Sequence, residues 1–262
     1  MTNLFGYIGR ATLERARDLS VVWSLIIYAF AATFTRMKSG RRVMIEIFLR
    51  QVYFTGYEAV PIISWIALIL GFVVVAQALS ILPGLGGESL VGQILVWVVV
   101  REAGPVFAAV IVIARSGTAI AAELGSMKIG RELTALELMG ISPMLYLVAP
   151  RIMGTAVSVV ALTFCFEIVA ILGGFILAGF GGSVTFHAYT SSLLEAMGLL
   201  DIFVSLLKSA LFGLIIGAVC SYQGFLVEKS ITQIPQQTTR AVMRSLTTVF
   251  FLDAVITLIF YM

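Results

Sequence analysis

Long apolar stretches are the feature that most constrains this sequence. A hydrocarbon core of about 30 Å is crossed by roughly 20 apolar residues in helical conformation. Five stretches meet that demand, at residues 60–82, 90–114, 152–179, 199–222 and 241–262. Apolar residues make up 60% of the chain and charged residues 12%, about half of the roughly 25% charged residues of soluble domains. The sequence therefore predicts an all-α integral membrane protein and excludes a soluble enzyme, a nucleic-acid-binding protein and a disordered chain.

The N-terminal region differs from the five stretches. Residues 20–34 are apolar for only fifteen positions between basic flanks, a length that suits an interfacial helix better than a span. Residues 44–60 repeat this pattern, with Ile45, Leu49 and Val52 at helical spacing among arginines. We predict that residues 1–58 form membrane-surface helices and that residues 59–262 form a five-span domain.

Lysine and arginine predict the orientation of the spans. Eight of these residues lie in 1–58, four in 115–151 and three in 223–244, whereas the loops around 81–89 and 180–200 contain none. Positive charges accumulate in cytoplasmic loops. The pattern therefore predicts a cytoplasmic N-terminus, an external C-terminus and a cytoplasmic loop at about 126–150.

Charged residues within spans are costly and usually functional. Lys208 and Asp253 each lie nine residues from the outer end of a span, or about 13 Å deep at 1.5 Å per residue. Equal depth predicts an intramembrane ion pair. The pair either locks two helices together, which we favour, or takes part in a proton relay.

Arg101 and Glu102 lie about eleven residues into the second stretch, shortly before Pro105. Proline removes a backbone hydrogen bond and opens a helix locally. This pattern indicates a water-accessible cavity that holds a polar group, with a self-contained structural kink as the alternative. Glu167 is either a cavity wall or a helix-packing hydrogen-bond partner. His187 is expected to be a solvated loop residue, and the sequence assembles no metal site or nucleophile.

The internal loop contains a short amphipathic segment. Glu132–Met139 is predicted to be a helix with Leu133, Leu136 and Met139 on one face, ended by Gly140 and Pro143. Such a helix suits insertion into a groove of a soluble partner, although it could equally lie on the headgroups. The chain has no GxxxxGK[ST] phosphate loop, so any ATP hydrolysis is expected from another subunit.

Four blocks of the sequence resemble the MlaE/YrbE permease family, the membrane subunits of ABC transporters that work with MCE-domain lipid-binding proteins. The blocks occur in family order at residues 101–106 (REAGPV), 114–125 (ARSGTAIAAELG), 135–141 (ALELMGI) and 150–151 (PR). The resemblance implies a non-enzymatic, homodimeric permease in the bacterial inner membrane. It moves phospholipid between that membrane and a periplasmic MCE assembly.

The resemblance also implies partners and roles. A cytoplasmic ATPase dimer, which binds ATP and magnesium, docks on the loop helix, and some members have a STAS-domain regulator. The family's charged pair near the lipid cavity matches Arg101 and Glu102. Its coupling helix matches residues 131–141, with Arg131, Glu132 and Thr134 departing from the usual Glu-Gln-x-Asp-Ala-Leu-Glu pattern. The implied ATPase-coupling residues are Arg131, Glu132, Leu133, Leu136, Glu137 and Met139.

Acyl chains need apolar walls, and one face of the first span offers them. The candidate wall residues are Val74, Gln77, Ala78, Ile81 and Leu82. Arg101 is expected to meet a phosphate, with Glu102 adjusting its charge or gating access. The direction of transport and the lipid class stay open.

Three other functions remain as alternatives. An ion-coupled carrier or channel without an ATPase would use Glu102, Glu167 and Asp253 as proton sites. A membrane enzyme of lipid metabolism and a purely structural subunit are the others. Dependence of transport on a partner ATPase distinguishes the permease from all three.

Overall fold

The computed structural model describes residues 20–31, 41–81, 90–180, 186–228 and 230–261, and the regular structure within them is entirely helical. Five helical runs are long and apolar enough to cross a membrane: Arg42–Ser80, Val91–Ile129, Met144–Gly179, Leu199–Phe225 and Gln233–Tyr261. Each run contains most of one predicted stretch. The predicted all-α class with five candidate spans is therefore confirmed.

The spans are built from shorter helical elements. The α-helices in the described ranges are α1 (Ser20–Ala31), α2 (Arg41–Thr55), α3 (Val60–Ile81), α4 (Leu90–Leu95), α5 (Gly104–Val112), α6 (Thr118–Ile129), α7 (Glu132–Leu138), α8 (Ala149–Phe180), α9 (Phe186–Ala196), α10 (Leu199–Phe225) and α11 (Gln233–Tyr261). The same ranges contain three π-helical segments, at Val96–Ala103, Ile113–Gly117 and Met144–Val148. Two of them join α4, α5 and α6 into the continuous second span.

Two segments that the sequence placed in loops are helical. The second span does not end at residue 114, because α6 extends it to Ile129 and packs its small residues against α10. The segment 180–200, expected to be an outer loop, contains α9, whose buried Tyr189 donates a hydrogen bond to the Ile171 carbonyl at 2.9 Å. His187, expected in a loop, is an exposed residue of α9.

The two N-terminal helices pack against the bundle. In α1 the buried side chains include Val22, Leu25 and Ile26, which join a cluster with residues of α8 and α10. The neighbouring α2 lies along the beginning of α8, where a Cβ on Gly154 would lie 2.9 Å from the Gln51 side chain. The division of the chain at residue 58 stays a prediction.

At the bundle end that carries α7, polar contacts tie the spans together. Arg115 pairs with Glu58 and also donates to the Phe54 carbonyl at 2.7 Å. A further pair joins α8 to α6, with Arg151 Nη2 2.7 Å from Glu123 Oε1. Lys128 of α6 donates to the backbone carbonyl of Phe225 at the end of α10. These contacts connect four spans close to both ends of the α7 loop.

Close helix contact in the centre depends on glycine. Helices α8 and α10 pack extensively against each other. A Cβ on Gly213 would lie 2.5 Å from the Ala156 Cα, and one on Gly217 would lie 2.8 Å from the Ile152 Cα. Because backbone atoms limit these approaches, a side chain at either glycine would push the two helices apart.

We expect Gly213→Ala to destabilise the protein by about 1–3 kcal/mol, the usual cost of overpacking a tight interior. The matched control is Gly179→Ala, since a Cβ there would have no neighbour within 4 Å. Thermal unfolding in detergent, followed by size-exclusion chromatography, measures both variants. Equal unfolding midpoints for the two variants would contradict the packing argument.

Candidate functional site

The ammonium group of Lys208 lies at the centre of a polar site inside the bundle. Its side chain is 0% exposed. Lys208 Nζ donates to the Arg101 carbonyl at 2.9 Å, to Glu102 Oε2 at 3.1 Å and to Thr257 Oγ1 at 2.7 Å. Asp253 Oδ1 lies 2.8 Å from the same nitrogen. The structure thus brings Lys208 and Asp253 together, and Glu102 is a second carboxylate on the same cation.

The backbone of the second span supplies one of these acceptors. In an α-helix the carbonyl of residue 101 would accept from the N–H of residue 105, which is proline and has none. The segment Val96–Ala103 is π-helical, and the Gly104 N–H bonds to the Val99 carbonyl, five residues back. The helix widens at Arg101 rather than breaking, and Lys208 donates to the Arg101 carbonyl.

The side chain of Arg101 forms a second polar group. Arg101 Nε lies 2.7 Å from Asp201 Oδ1 in the first turn of α10. Asp201 is held in turn, because its Oδ2 accepts from the Gly198 N–H at 3.0 Å and its Oδ1 accepts from the Tyr261 hydroxyl at 3.2 Å. The guanidinium carbon of Arg101 lies 4.3 Å from the centre of the Tyr261 ring. These contacts fix the direction of the guanidinium.

Helix α11 presents a polar stripe to both groups. Asp253, Thr257 and Tyr261 follow one another at intervals of four residues, so they share one face of the helix. Thr257 Oγ1 donates to Glu102 Oε1 at 2.8 Å and thereby links Glu102 to Lys208. Beside this stripe is an open groove of about 380 Å³. We call it the α11 groove; its lining residues are Glu102, Asp253, Ala254, Thr257, Leu258 and Tyr261.

Five ionisable side chains form what we call the charge cluster: Arg101, Glu102, Asp201, Lys208 and Asp253. Two are cationic and three are acidic, so the formal charge of the cluster is −1. Arg101 and Asp201 pair with each other, whereas Lys208 is shared between Glu102 and Asp253. A charged cluster at this depth needs this mutual pairing, because an isolated charge in an apolar medium is very costly.

The hydrogen-bond partner of Glu167 is not a member of the charge cluster. Glu167 is buried on α8, and its Oε1 accepts a hydrogen bond from Ser205 Oγ at 2.5 Å. A Cβ on Gly104 would lie 3.0 Å from the Glu167 Cγ. The hydrogen bond from Ser205 joins α10 to α8. Glu167 is not among the residues that line the α11 groove.

The candidate acyl-chain wall lies elsewhere in the first span. Val74 is half-buried, Gln77 is exposed and Ala78 is buried. None of these three lines the α11 groove. Ile81 is the last residue of α3, and Leu82 lies outside the described residues. Their assignment to a lipid cavity stays a prediction.

The short loop helix is present as α7, Glu132–Leu138, which begins after Arg131 in a left-handed conformation (φ 59°). It ends before Gly140, which also has positive φ (76°). Leu133 is buried and Leu136 half-buried, so these two face the bundle. Met139, expected on their face, is 65% exposed, and Leu138 is 84% exposed. The outward surface of the loop is therefore apolar at Leu138 and Met139, with Arg131, Glu132 and Glu137 also exposed.

Sequence reasoning missed three members of the polar site, which are Asp201, Thr257 and Tyr261. Asp201 resembles an ordinary acidic residue in the first turn of a helix. The four-residue spacing of Asp253, Thr257 and Tyr261 on an apolar span was the signal that identifies the stripe. It shows which face of the last span turns inward.

We expect Lys208→Met alone to destabilise the protein by about 3–5 kcal/mol, because it leaves Glu102 and Asp253 without their cation. Combining it with Glu102→Gln and Asp253→Asn removes both uncompensated charges and should restore much of the stability. The unfolding midpoint in detergent measures the effect. A triple variant as unstable as the single one would contradict charge pairing as the reason.

Comparison with known proteins places this arrangement in a family. The family model described as Permease MlaE matches residues 48–259. A Haemophilus influenzae protein named intermembrane phospholipid transport system permease protein MlaE is 27% identical over 262 residues, covering 100% of this chain and 98% of the relative. A Rickettsia typhi protein named probable ABC transporter permease protein is 26% identical over 245 residues, covering 94% of this chain and 93% of the relative.

A chloroplast protein of Arabidopsis thaliana, TRIGALACTOSYLDIACYLGLYCEROL 1, is 26% identical over 213 residues, covering 81% of this chain and 61% of the relative. The matched region of the family model contains the whole charge cluster, the loop helix and nearly all of the five candidate spans. This protein belongs to the MlaE permease family.

Proposed function

We propose that this chain is the permease subunit of an ABC-type transporter that moves phospholipid between a bacterial inner membrane and a periplasmic MCE protein. The family supports this, as do the names of the Haemophilus and Rickettsia relatives. The chain is not itself an enzyme in this proposal. A partner ATPase binds ATP and magnesium and supplies the energy.

We propose the orientation predicted by the basic residues, with the N-terminus in the cytoplasm and the C-terminus in the periplasm. The α7 loop and the ties made by Arg115, Arg151 and Lys128 then lie on the cytoplasmic side. Residues 1–58 form the membrane-surface part, and residues 59–262 form the permease domain. The α9 segment faces the periplasm, where the lipid would meet the MCE assembly.

The proposed complex contains two copies of this chain, two ATPase subunits and an MCE oligomer, with a STAS-domain regulator as a further partner. Two copies suit the structure, because the α11 groove is open on one side. Large apolar side chains of α11 are also exposed, among them Phe251, Leu258 and Ile259. A second copy would close this groove into a cavity between ten spans.

One observation carries the assignment of the lipid site. Arg101 lies within the second span, yet its side chain is 25% exposed. Asp201 engages only Nε, and within the described part of the chain the two Nη nitrogens have no hydrogen-bond partner. A guanidinium with a free forked end is suited to binding a phosphate through two hydrogen bonds.

The proposed mechanism depends on the polar contacts that join the spans near the α7 loop. ATP binding closes the ATPase subunits, and the α7 helices move with them. Because Lys128 holds α6 to α10 and Arg151 holds α8 to α6, movement of the loop displaces these spans together. The cavity between the two permease copies narrows, and the bound lipid is displaced from Arg101 and the apolar walls.

The lipid site is tested with the paired variant Arg101→Gln/Asp201→Asn, which removes the guanidinium without leaving Asp201 as a lone buried charge. We expect ATP-dependent lipid transfer to fall about tenfold or more, since hydrogen bonds to charged groups contribute about 1.5–3 kcal/mol. Co-purification of the ATPase should not change. The control is Asp201→Asn alone, which keeps Arg101. Undiminished lipid transfer by the paired variant would contradict the assignment of Arg101 to the lipid site.

ATPase docking is tested with Leu138→Asp, because Leu138 is 84% exposed and its replacement leaves the fold of the permease undisturbed. We expect the ATPase to be lost on co-purification, since a charge replaces a buried apolar contact of the docked helix. Thr134→Asp, also exposed on α7, tests whether any added charge has this effect. Retained ATPase and full lipid transfer with Leu138→Asp would contradict docking of the ATPase on α7. Lipid transfer without any ATPase would favour an ion-coupled carrier.

A further inference from the structure

We propose that the α11 groove, together with the Arg101 guanidinium that stacks on its lining residue Tyr261, selects zwitterionic phospholipids with an amine headgroup. Arg101 binds the phosphate, and the carboxylates of Glu102 and Asp253 bind the ammonium. This inference rests on the proposed lipid-transport function and adds a substrate class to it. It follows from the order of the charged groups along α11, from the excess of acidic over basic groups in the charge cluster and from the two Nη nitrogens of Arg101.

The charged groups lie at two levels along α11. We call the level beside Tyr261 the upper rung and the level beside Thr257 the lower rung. At the upper rung the guanidinium of Arg101 stacks on the Tyr261 ring at 4.3 Å. At the lower rung Thr257, four residues earlier, donates to Glu102 Oε1 at 2.8 Å. Four residues of α-helix rise about 6 Å. A positive and a negative binding group are thus presented about one helical turn apart on one face.

The two rungs differ in net charge. Arg101 and Asp201 balance each other at the upper rung, with Asp201 Oδ2 further engaged by the Gly198 N–H. At the lower rung Lys208 faces both Glu102 and Asp253, which leaves one negative charge in excess. Lys208 is 0% exposed, whereas the Glu102 side chain is 39% exposed. A ligand in the groove therefore meets the acidic side chain and not the cation that partly neutralises it.

A cationic ligand group suits this lower rung. Carboxylates in a poorly solvated site attract an ammonium ion strongly and repel a second anion. All three N–H groups of Lys208 are already used by the Arg101 carbonyl, Glu102 and Thr257. Lys208 is therefore not a phosphate-binding group here, and of the two cations in the charge cluster Arg101, at the upper rung, is left to bind a phosphate.

An aminophospholipid headgroup matches both rungs at once. Its phosphate and its ammonium are separated by a short carbon linker, a spacing comparable with the distance between the rungs. An anionic headgroup with a glycerol in place of the amine would satisfy Arg101 but would leave the excess negative charge uncompensated. The acyl chains would extend over the apolar lining and its surroundings, where Ala254 and Leu258 are exposed.

The test uses the full-length chain in nanodiscs made from equal amounts of phosphatidylethanolamine and phosphatidylglycerol with identical acyl chains. Native mass spectrometry after release from the nanodisc measures which lipid stays bound. We expect phosphatidylethanolamine to be retained over phosphatidylglycerol by about fivefold, the ratio that a weak ion pair of ~1 kcal/mol produces.

Two variants locate the selectivity. Glu102→Gln removes the excess negative charge and should bring the ratio close to equality, and Asp253→Asn should do the same if Glu102→Gln does not fold. The matched control is Glu167→Gln, which neutralises an intramembrane carboxylate outside the groove and should keep the wild-type ratio.

The outcomes separate this inference from the proposed function. Binding of both lipids in equal amounts, or preference for phosphatidylglycerol, would overturn the headgroup selectivity and leave lipid transport standing. A wild-type preference that persists in both Glu102→Gln and Asp253→Asn would also overturn it. Loss of the preference in Glu167→Gln would show that the groove is not its source. Absence of any bound lipid would count against the proposed function itself.

Discussion

The Lys208 ammonium is buried without access to solvent, and the rest of the polar site supplies the oxygen atoms that accept its hydrogen bonds. An unpaired ammonium ion in such a place would be very costly, so each of its N–H groups must find an oxygen. The acceptors come from the second and fifth spans, while Lys208 itself belongs to the fourth. One side chain thereby fixes the rotation of three helices relative to one another. The groove that we assign to lipid lies between two of these helices, the second and the fifth spans.

Helix irregularity gives this site its shape. Pro105 cannot donate to the Arg101 carbonyl, and the π-helical segment before it leaves that carbonyl to a lysine of another span. A second π-helical segment, Ile113–Gly117, carries Arg115, whose side chain reaches Glu58 near the junction of α2 and α3. The contacts of both Arg101 and Arg115 therefore begin in widened turns of the second span. Such turns are common at functional sites, because they redirect side chains without ending the helix.

Different parts of the molecule were predictable from sequence for different physical reasons. The five candidate spans follow from length and hydropathy, and α7 follows from its apolar spacing and from Gly140. The depth of Lys208 and Asp253 follows from counting residues. The roles of Asp201, Thr257 and Tyr261 do not, because they depend on how each span rotates about its axis. Spans that are apolar on all sides give little periodicity, so their rotation is decided by packing at Gly213 and Gly217 and by the polar pairs.

The π-helical segment Val96–Ala103 also sets a limit on how this span can change during evolution. A π-helical turn holds one residue more than an α-helical turn, so deleting a single residue there would restore a regular α-helix. The residues on either side of the deletion would keep roughly the same sides of the span, because the tighter α-helical turn offsets the missing residue. Trp97 and Arg101, whose guanidinium carbon lies 5.8 Å from the Trp97 ring centre, would then be three positions apart and would still share a side of the helix. Among relatives, a one-residue gap in this span is therefore expected within the π-helical segment, since a gap in its α-helical parts would turn the following residues by about 100° and separate the intramembrane charges from their partners.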